Sequence, residues 1–404
     1  MREKRFTVFL TSFILLCLVL FPAGCWDRRE PDLLGIVTIA AFDIDEQSGL
    51  FRVYAQVNNP VGGGQQQSSG GGGSQGSSSA WVVETTGHTI YEAVINIELI
   101  SSRRLFWSHV KAVLFSEKLA REGIRPILDF LDRERQVRLI AQPFVVQGDL
   151  RRLLEANFPM EVEGGEAMSK QSFSIMQESS FLSEVESLLI LFRNISIPGI
   201  EINMPRLTVL ANEGENEEKP SGKPNPVKIS GIGIFRGDKL VGFFDEKETA
   251  GYNWLTGNIQ RHNLILQCPG SEDDYMTVQV FDSSVKLTPE IKDDEVRFKA
   301  SVSAEGRLQD FTCPQFPLER EFIDSLNRRM ATAIRNEITS SLEKAKELES
   351  DIFGLGNIIY RTRNEDWKRL GDNWREIFPG IMVDIEVEAK ILRHGLILEP
   401  LQIQ

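Results

Sequence analysis

The stretch Glu319–Ser350 reads EREFIDSLNRRMATAIRNEITSSLEKAKELES and dominates the C-terminal half of the chain. Its apolar residues recur at every fourth position, the spacing that places side chains along one face of an α-helix. These residues are Phe322, Leu326, Met330, Ile334, Ile338 and Leu342. The pattern predicts one long amphipathic helix in the C-terminal half, roughly 45 Å in length.

After this helix, the stretch Ile381–Ile391 (IMVDIEVEAKI) alternates apolar and polar residues along most of its length. That alternation is typical of a strand with one buried face and one face in water. Clear alternation also runs from Val296 to Val302. Because the predicted helices and strands are mixed along the chain, we expect an α+β fold in several domains, with mixed and antiparallel sheets flanked by helices.

The N-terminal half also mixes both kinds of element. Alternation over Phe51–Asn58 predicts a half-buried strand. We expect helices over His88–Ser101 and Glu117–Asp132, because their apolar residues follow helical spacing. Strands are expected over Trp107–Phe115 and Val137–Val146.

Two segments interrupt this pattern. Residues 62–79 consist of Gly, Gln and Ser alone and predict a flexible loop between two strands of one sheet, since such a composition cannot bury enough apolar surface to fold. Residues 212–226 are rich in Glu, Asn, Lys and Pro and predict a linker. The chain is therefore expected to have an N-terminal α+β region at 25–211 and a C-terminal α+β domain at 227–404. Its length predicts two or three domains, three if the N-terminal region forms two subdomains.

The first part of the chain, residues 1–24, predicts an export signal. A basic start, Met1–Arg5, precedes 16 mostly apolar residues, Phe6–Phe21. As a helix this run would extend about 24 Å, which is shorter than the roughly 30 Å of hydrocarbon in a bilayer. A basic start, a short apolar run and small residues before a break are typical of a signal peptide.

Cys25 directly follows the small pair Ala23-Gly24. The run Pro22-Ala23-Gly24-Cys25 resembles a bacterial lipobox, except that Pro22 stands where a Leu-like residue is usual. We therefore predict that a lipid on Cys25 anchors the mature protein to the outer side of the cytoplasmic membrane. The alternative is an ordinary signal peptide followed by an incidental cysteine.

The negative net charge of the chain disfavours some classes of partner. The net charge is −13, and removal of residues 1–24, which hold three basic residues and one acidic residue, changes it to −15. Phosphate recognition needs a basic surface, so nucleic acid is not an expected partner. The composition also disfavours a polybasic segment as a second membrane signal.

Two cysteines remain in the mature chain besides Cys25. Cys268 and Cys313 each precede a proline, which suits a strand end or a turn. Outside the cytoplasm they can form a disulfide. Two buried free thiols are the alternative.

A search of the sequence for catalytic and metal-binding patterns yields no candidate. The four histidines are isolated from one another and from cysteine; they are His88, His109, His262 and His394. No spacing of Cys and His is of the metal-binding kind, and no nucleophile has a credible base beside it. The sequence therefore predicts a protein that is not an enzyme, with no catalytic residues, no metal ligands and no cofactor.

Several blocks of the sequence resemble one family, the Ger(x)C lipoproteins, which are the C subunits of nutrient germinant receptors in endospore-forming bacteria. The blocks follow the family's order over nearly the whole mature chain. They are Cys25–Glu30, Ser101–Ile124, Leu128–Arg138, Gly231–Gly242, Gly251–Ile259, Asp351–Arg361 and Asp366–Ile391.

The resemblance implies a non-enzymatic protein of three α+β domains on the outer side of the spore's inner membrane. Its implied partners are two integral membrane subunits, of the A and B types, together with the bilayer that holds the lipid of Cys25. Partner contacts are predicted at Trp26, Asp27, Arg28, Arg29 and Glu30, and at Arg103, Arg104 and His109. The alternatives are a solvated tether for the first set and packing of sheet and turn for the second.

A solute-binding lipoprotein of a transport system is the alternative function. Such a protein shares the anchor and the size. It needs two α/β lobes around a hinge, and the mixed pattern of strands and helices fits that requirement poorly.

Overall fold

The computed structural model describes residues 6, 9–13, 33–58, 80–134, 136–156, 163–182, 187–209, 227–271, 273–292, 295–313 and 320–392. Several predicted features lie outside these residues. They are Cys25, the contact segment Trp26–Glu30, the Gly/Gln/Ser segment 62–79, the linker 212–226 and His394.

Within the described residues, nine strands form one mixed sheet in the first part of the chain. Their order is β3-β2-β1-β5-β6-β7-β8-β9, and the short β4 pairs with β1. The strands are β1 (Leu34–Ile44), β2 (Phe51–Asn58), β3 (Trp81–Gly87), β4 (Arg104–Phe106), β5 (Ala112–Ser116), β6 (Gln142–Gln147), β7 (Asn203–Val209), β8 (Val227–Arg236) and β9 (Lys239–Phe244).

The central strands β1, β5, β6 and β7 run parallel to one another. They therefore begin at the same edge of the sheet, which we term the starting edge. Antiparallel pairs flank them, with β2 and β3 on one side and β8 and β9 on the other. This mixed sheet with its surrounding helices confirms the predicted α+β class.

Helices follow most of these strands. They are α1 (Ile90–Ile100), α2 (Glu117–Glu122), α3 (Arg125–Arg133), α4 (Leu150–Leu154), α5 (Gly164–Glu178) and α6 (Leu188–Ile195). The helices predicted over His88–Ser101 and Glu117–Asp132 are confirmed. The second is broken at Gly123, whose φ of 133° is a conformation that glycine adopts without steric cost.

The prediction that β2 is half-buried is wrong. Tyr54 and Gln56, which alternation assigned to water, are only 4% and 3% exposed, because a core cluster lies on each face of the sheet. Gln56 is satisfied in the interior: its Nε2 donates to the carbonyl oxygen of Leu154 (2.7 Å), and the hydroxyl of Thr38 donates to its Oε1 (3.2 Å). A buried amide with both ends bonded gives no sign of its burial in a hydropathy pattern.

The strand predicted over Trp107–Phe115 is also wrong in its first part. A 3₁₀ turn at Trp107–His109 separates β4 from β5, although both strands lie along β1. The amide of Lys111 then donates to the carbonyl oxygen of Thr38 and returns the chain to the sheet (2.9 Å). The strand predicted over Val137–Val146 begins later, at Gln142.

A second sheet, order β10-β11-β12-β13, lies in the C-terminal part; within the described residues it has four strands. They are β10 (His262–Gln267), β11 (Tyr275–Lys292), β12 (Glu295–Phe311) and β13 (Met382–Leu392). The helices of this part are α7 (Glu246–Thr256), α8 (Arg320–Glu347), α9 (Leu355–Thr362), α10 (Asn364–Leu370) and α11 (Trp374–Ile377).

The long amphipathic helix is confirmed as α8. Leu326, Met330, Ile334 and Ile338 on its predicted face are fully buried in the core of the C-terminal part. The final strand is also confirmed as β13, which pairs in parallel with β12 and turns its charged residues to water. Burial of one helix face against one sheet face forms this core.

The first sheet includes strands on both sides of the predicted linker 212–226. All the described strands of the region 25–211 belong to the first sheet, so its two predicted subdomains do not have separate sheets. Beyond the predicted linker, β8 returns to pair antiparallel with β7, and β9 follows it. β8 supplies hydrogen bonds that β7 would otherwise lack on that side. The last strand of the first sheet is β9, so the sheet ends at Phe244.

No helix among the described residues combines the length and the apolar character that a crossing of the bilayer requires.

Candidate functional site

The predicted contact residues Arg103 and Arg104 lie at the starting edge of the first sheet. Helix α1 ends at Ile100, and the hydroxyl of Ser101 donates to the carbonyl oxygen of Arg103 (2.6 Å) in a tight turn. Arg104 then pairs with Leu34 at the beginning of β1 and is exposed. The turn therefore holds both arginines beside the beginning of β1.

His109 ends the 3₁₀ turn in the same segment and is also exposed. Its ring lies 5.5 Å from the ring of Phe106, while Trp107 between them is buried. The structure therefore keeps Arg103, Arg104 and His109 in one short stretch, anchored by an apolar side chain. The described residues contain no group of three His, Cys, Asp or Glu side chains arranged to hold a metal ion.

A cleft of about 1110 Å³ separates the helices of the first sheet from those of the C-terminal part. Arg125 and Asp129 of α3 form one wall, and Trp367 and Arg375 form the opposite wall. Sequence analysis did not find it, because its walls come from segments far apart in the chain. Gly199, Glu201, Asp351 and Trp374 line the cleft, and Gly356 packs against Gly199 and Trp374. We term these five residues the junction.

Asp351 is the buried carboxyl of the junction. Its oxygens accept hydrogen bonds from the amides of Leu355 (3.1 Å) and Gly356 (2.8 Å) and from Nε1 of Trp374 (2.9 Å). Burial raises the pKa of the Asp351 carboxyl to about 6 despite these bonds. The carboxyl thereby joins the beginning of α9 to α11.

Two glycines allow the chain segments of the junction to approach one another. A Cβ on Gly199 would lie 2.5 Å from the carbonyl carbon of Gly356, and a Cβ on Gly356 would lie 2.5 Å from Nε1 of Trp374. The amide of Asn357 donates to the carbonyl oxygen of Gly199 (2.8 Å). The blocks Asp351–Arg361 and Asp366–Ile391, which carried the family resemblance, thus supply much of one packed interface.

Glu201 connects the junction to the first sheet. One carboxylate oxygen accepts the amide of Gly237 in the β8–β9 turn (2.6 Å), and the other accepts Nε of Arg375 (2.9 Å). The amide of Glu201 itself donates to the carbonyl oxygen of Asp351 (2.9 Å). These bonds hold the two halves of the cleft together at its floor.

A second buried polar cluster lies between α7 and α8. Nε1 of Trp254 donates to Glu337 (2.8 Å), and Nε2 of His262 lies 3.1 Å from both oxygens of that carboxylate. A Cβ on Gly251 would lie 2.1 Å from the carbonyl oxygen of Glu337, so α7 and α8 cross closely. This explains Gly251–Ile259 as a packing block and makes His262 a structural histidine.

Cys268 and Cys313 are joined in a disulfide, with Cα atoms 5.8 Å apart. Cys268 follows β10, and Cys313 comes two residues after the end of β12. The bridge therefore fastens two ends of the second sheet next to the segment that leads into α8. The oxidation state in the cell stays a prediction.

Comparisons with known proteins agree on one family. The model described as "Spore germination protein N-terminal domain" matches residues 27–209, and the model described as "Spore germination B3/ GerAC like, C-terminal" matches residues 230–395. Spore germination protein KC of Bacillus subtilis (strain 168) is 27% identical over 98% of this chain and 98% of its own. Spore germination protein GerQC of Bacillus cereus is 22% identical over 95% and 98% respectively.

A solved structure shares the fold. The crystal structure of the GerBC protein matches with a TM-score of 0.54 and 18% sequence identity, covering 88% of this chain and 97% of that one. At this identity the match bears on architecture, and it supports the α+β arrangement described above.

Proposed function

Because the chain belongs to the Ger(x)C family of spore germination proteins, we propose that it serves as the lipid-anchored C subunit of a nutrient germinant receptor. It acts through contacts with integral membrane subunits of the A and B types and has no catalytic step of its own. The observation that carries this proposal is the pair of family models, which together span residues 27–209 and 230–395.

The position of the anchor supports a role beside the membrane. Leu33 begins the described stretch 33–58 at the starting edge, and Cys25 precedes it by eight residues. A segment of that length reaches at most about 28 Å when fully extended. A lipid on Cys25 therefore holds the first sheet close to the bilayer, where membrane-embedded partners are accessible.

Deletion of the gene tests the function. We expect the deletion strain to lose germination with one set of nutrients while its growth stays normal, and the wild-type gene to restore germination. Normal germination in the deletion strain, after paralogous receptors are removed as well, would contradict the proposal.

The anchor and the partners need separate measurements. Labelling with a palmitate analogue should mark the wild-type protein and leave Cys25→Ala unmarked. Crosslinking in spore membranes, followed by mass spectrometry, should recover both integral membrane subunits with the wild-type protein. If Cys25→Ala is labelled equally well, the lipid is not on Cys25.

The cleft favours a second candidate, a solute-binding lipoprotein, since a cavity of about 1110 Å³ is large enough for an amino acid or a sugar. The pairing of β8 with β7 and the bonds of Glu201 across the floor disagree with two lobes that close around a hinge. Calorimetric titration with amino acids and sugars decides, because tight 1:1 binding would support the second candidate.

A further inference from the structure

The starting edge carries a concentration of exposed apolar side chains. Leu33 is 64% exposed, Leu99 77% and Ile140 65%. Isolated exposed apolar residues are ordinary, whereas a group at one place marks an interaction surface. The group consists of Leu33, Trp81, Leu99, Ile100, Leu139, Ile140 and Leu189.

The topology places these residues together. Leu33 and Trp81 stand at the beginnings of β1 and β3, which run in the same direction because each is antiparallel to β2. Leu99 and Ile100 end α1 just before β4. Leu139 and Ile140 precede β6, so they too lie at the starting edge.

The hydrophobic core connects the members of the group. The amide of Leu189 donates to the carbonyl oxygen of Leu139 (2.9 Å), which brings the first turn of α6 to the same edge. Several buried residues close to them in the sequence belong to one core cluster; they are Ile97, Leu105, Val137, Ala141 and Leu188. The exposed residues are thus the rim of one cluster at one end of the sheet.

Arginines accompany the apolar group. Arg104 and Arg138 are exposed, and within the described residues no ion pair involves either one. Arg103 is half-buried beside them. Glu98, in the last turn of α1, is a nearby acid. The arginines are separated in sequence, so composition alone did not reveal a basic surface on a chain of net charge −13.

We propose that the starting edge rests on the headgroup layer of an anionic lipid bilayer, with its apolar side chains at the boundary of the acyl chains. This rests on the proposed function in one respect: the acylated Cys25 brings this edge to the membrane. Arginines beside exposed Leu and Ile suit such a layer, since their apolar stems cover hydrocarbon while their guanidinium groups reach phosphates. Arg103 and Arg104 were predicted above to contact protein partners, whereas Arg138 was not. Vesicles that contain no protein distinguish binding to lipid from binding to a protein partner.

The test uses the chain from residue 25 onward with Cys25→Ala, so that no lipid contributes. Removal of residues 1–24 deletes no element of either sheet. We expect this protein to cosediment with vesicles containing phosphatidylglycerol at least about tenfold more strongly than with phosphatidylcholine alone, and we expect added salt to weaken that binding.

Two pairs of variants locate the surface. Arg104→Glu with Arg138→Glu should weaken binding to the anionic vesicles more than about 25-fold, because each lost cation accounts for roughly fivefold and each new anion adds repulsion. Leu139→Ser with Ile140→Ser should weaken it about tenfold or more, because apolar area no longer leaves water.

Matched controls lie on the second sheet. Lys286→Glu changes an exposed cation on β11, and Ile265→Ser changes an apolar residue on β10 that is 73% exposed. Both should bind as the parent protein does, and circular dichroism should show that all variants are folded.

Several outcomes would overturn the inference. One is no binding to anionic vesicles at low salt, and another is equal binding by the edge variants and the parent. Edge variants that bind vesicles normally but fail to support germination would show that the edge contacts protein instead. Absence of lipid on Cys25 would contradict the anchor alone, since the vesicle assay does not depend on it.

Discussion

At the scale of single residues, Asp351 shows burial and hydrogen bonding in opposition. Full burial raises the pKa of its carboxyl from 3.8 to about 6 and outweighs the hydrogen bonds from N–H groups, which lower it. The folded state therefore holds a proton on this carboxyl more tightly than the unfolded state does. Its two oxygens nevertheless join α9 to α11, which a single apolar residue would not do.

We expect Asp351→Asn to change the pH dependence of stability. Because the folded pKa is raised, the contribution of Asp351 to the wild-type free energy of unfolding falls as pH rises from 3.8 to about 6 and then levels off. The Asn variant lacks this fall, which amounts to as much as about 3 kcal/mol. Urea unfolding of both proteins across this pH range measures the difference.

Asp372→Asn is the control, since Asp372 is an exposed acid of the same region. Its stability curve should run parallel to that of the wild-type protein. A parallel curve for Asp351→Asn as well would show that the buried carboxyl does not hold the proton.

Gly251 sets the distance between α7 and α8. Alanine favours a helix interior over glycine by about 1 kcal/mol, but its Cβ would lie 2.1 Å from the carbonyl oxygen of Glu337. The clash is with backbone, which cannot rotate away. We therefore expect Gly251→Ala to lower the free energy of unfolding by roughly 1–3 kcal/mol, measured by urea titration.

Gly380→Ala is the matched variant, because no atom lies within 4 Å of the Cβ that it would add. Its stability should stay within about 0.5 kcal/mol of the wild type. If Gly251→Ala is equally neutral, the two helices do not cross as closely as described.

At the scale of elements, hydrophobic periodicity predicted the helices and strands that bury one face against a single core. It failed for elements that are covered by core residues on both faces. The four-residue spacing in α8 and the alternation in β13 were sufficient to predict these elements, because each buries one face and exposes the other to solvent. Alternation misled at β2, where α4 covers the second face and Gln56 is satisfied by Leu154. Helix α5 has small and polar buried positions and gave no apolar period.

The candidate site was less predictable than the fold for the same reason. The sequence indicated Arg103, Arg104 and His109 because they lie in one block. Arg138 and Leu189 lie at the same edge because the chain returns to it before β6 and again after β6. A local sequence pattern does not show such returns. The junction residues Glu201 and Asp351 meet across 150 positions of sequence, and only the fold brings them together.

The disulfide stabilises the end of the second sheet. Cys268 and Cys313 enclose a sequence separation of 45 residues, so their bond restricts the unfolded chain and contributes about 2–4 kcal/mol. We expect the double variant Cys268→Ser, Cys313→Ser to unfold at a correspondingly lower temperature, measured by differential scanning calorimetry.

A thiol count provides the direct check of that bond. Denatured, unreduced protein from residue 25 onward with Cys25→Ala should show no reactive thiol, and reduction should reveal two. Two reactive thiols before reduction would contradict the disulfide.

At the scale of the whole molecule, the first sheet crosses the predicted linker. The β7–β8 ladder and the bonds of Glu201 connect residues before 212 to residues after 226. A protease site inserted in 212–226 and cleaved in the folded protein should therefore leave both fragments together. Size-exclusion chromatography should give one peak without denaturant and two in urea. Two peaks in native buffer would show that these contacts do not keep the fragments together.

The same contacts across the predicted linker limit where this chain can recombine with its relatives. The match to the N-terminal family model ends at residue 209, and the match to the C-terminal model begins at residue 230. A hybrid protein joined between these residues would force β7 of one parent to pair with β8 of the other. A crossover after Phe244 keeps every strand of the first sheet from one parent. Recombination between relatives should therefore tolerate crossovers near α7 and select against those in the linker.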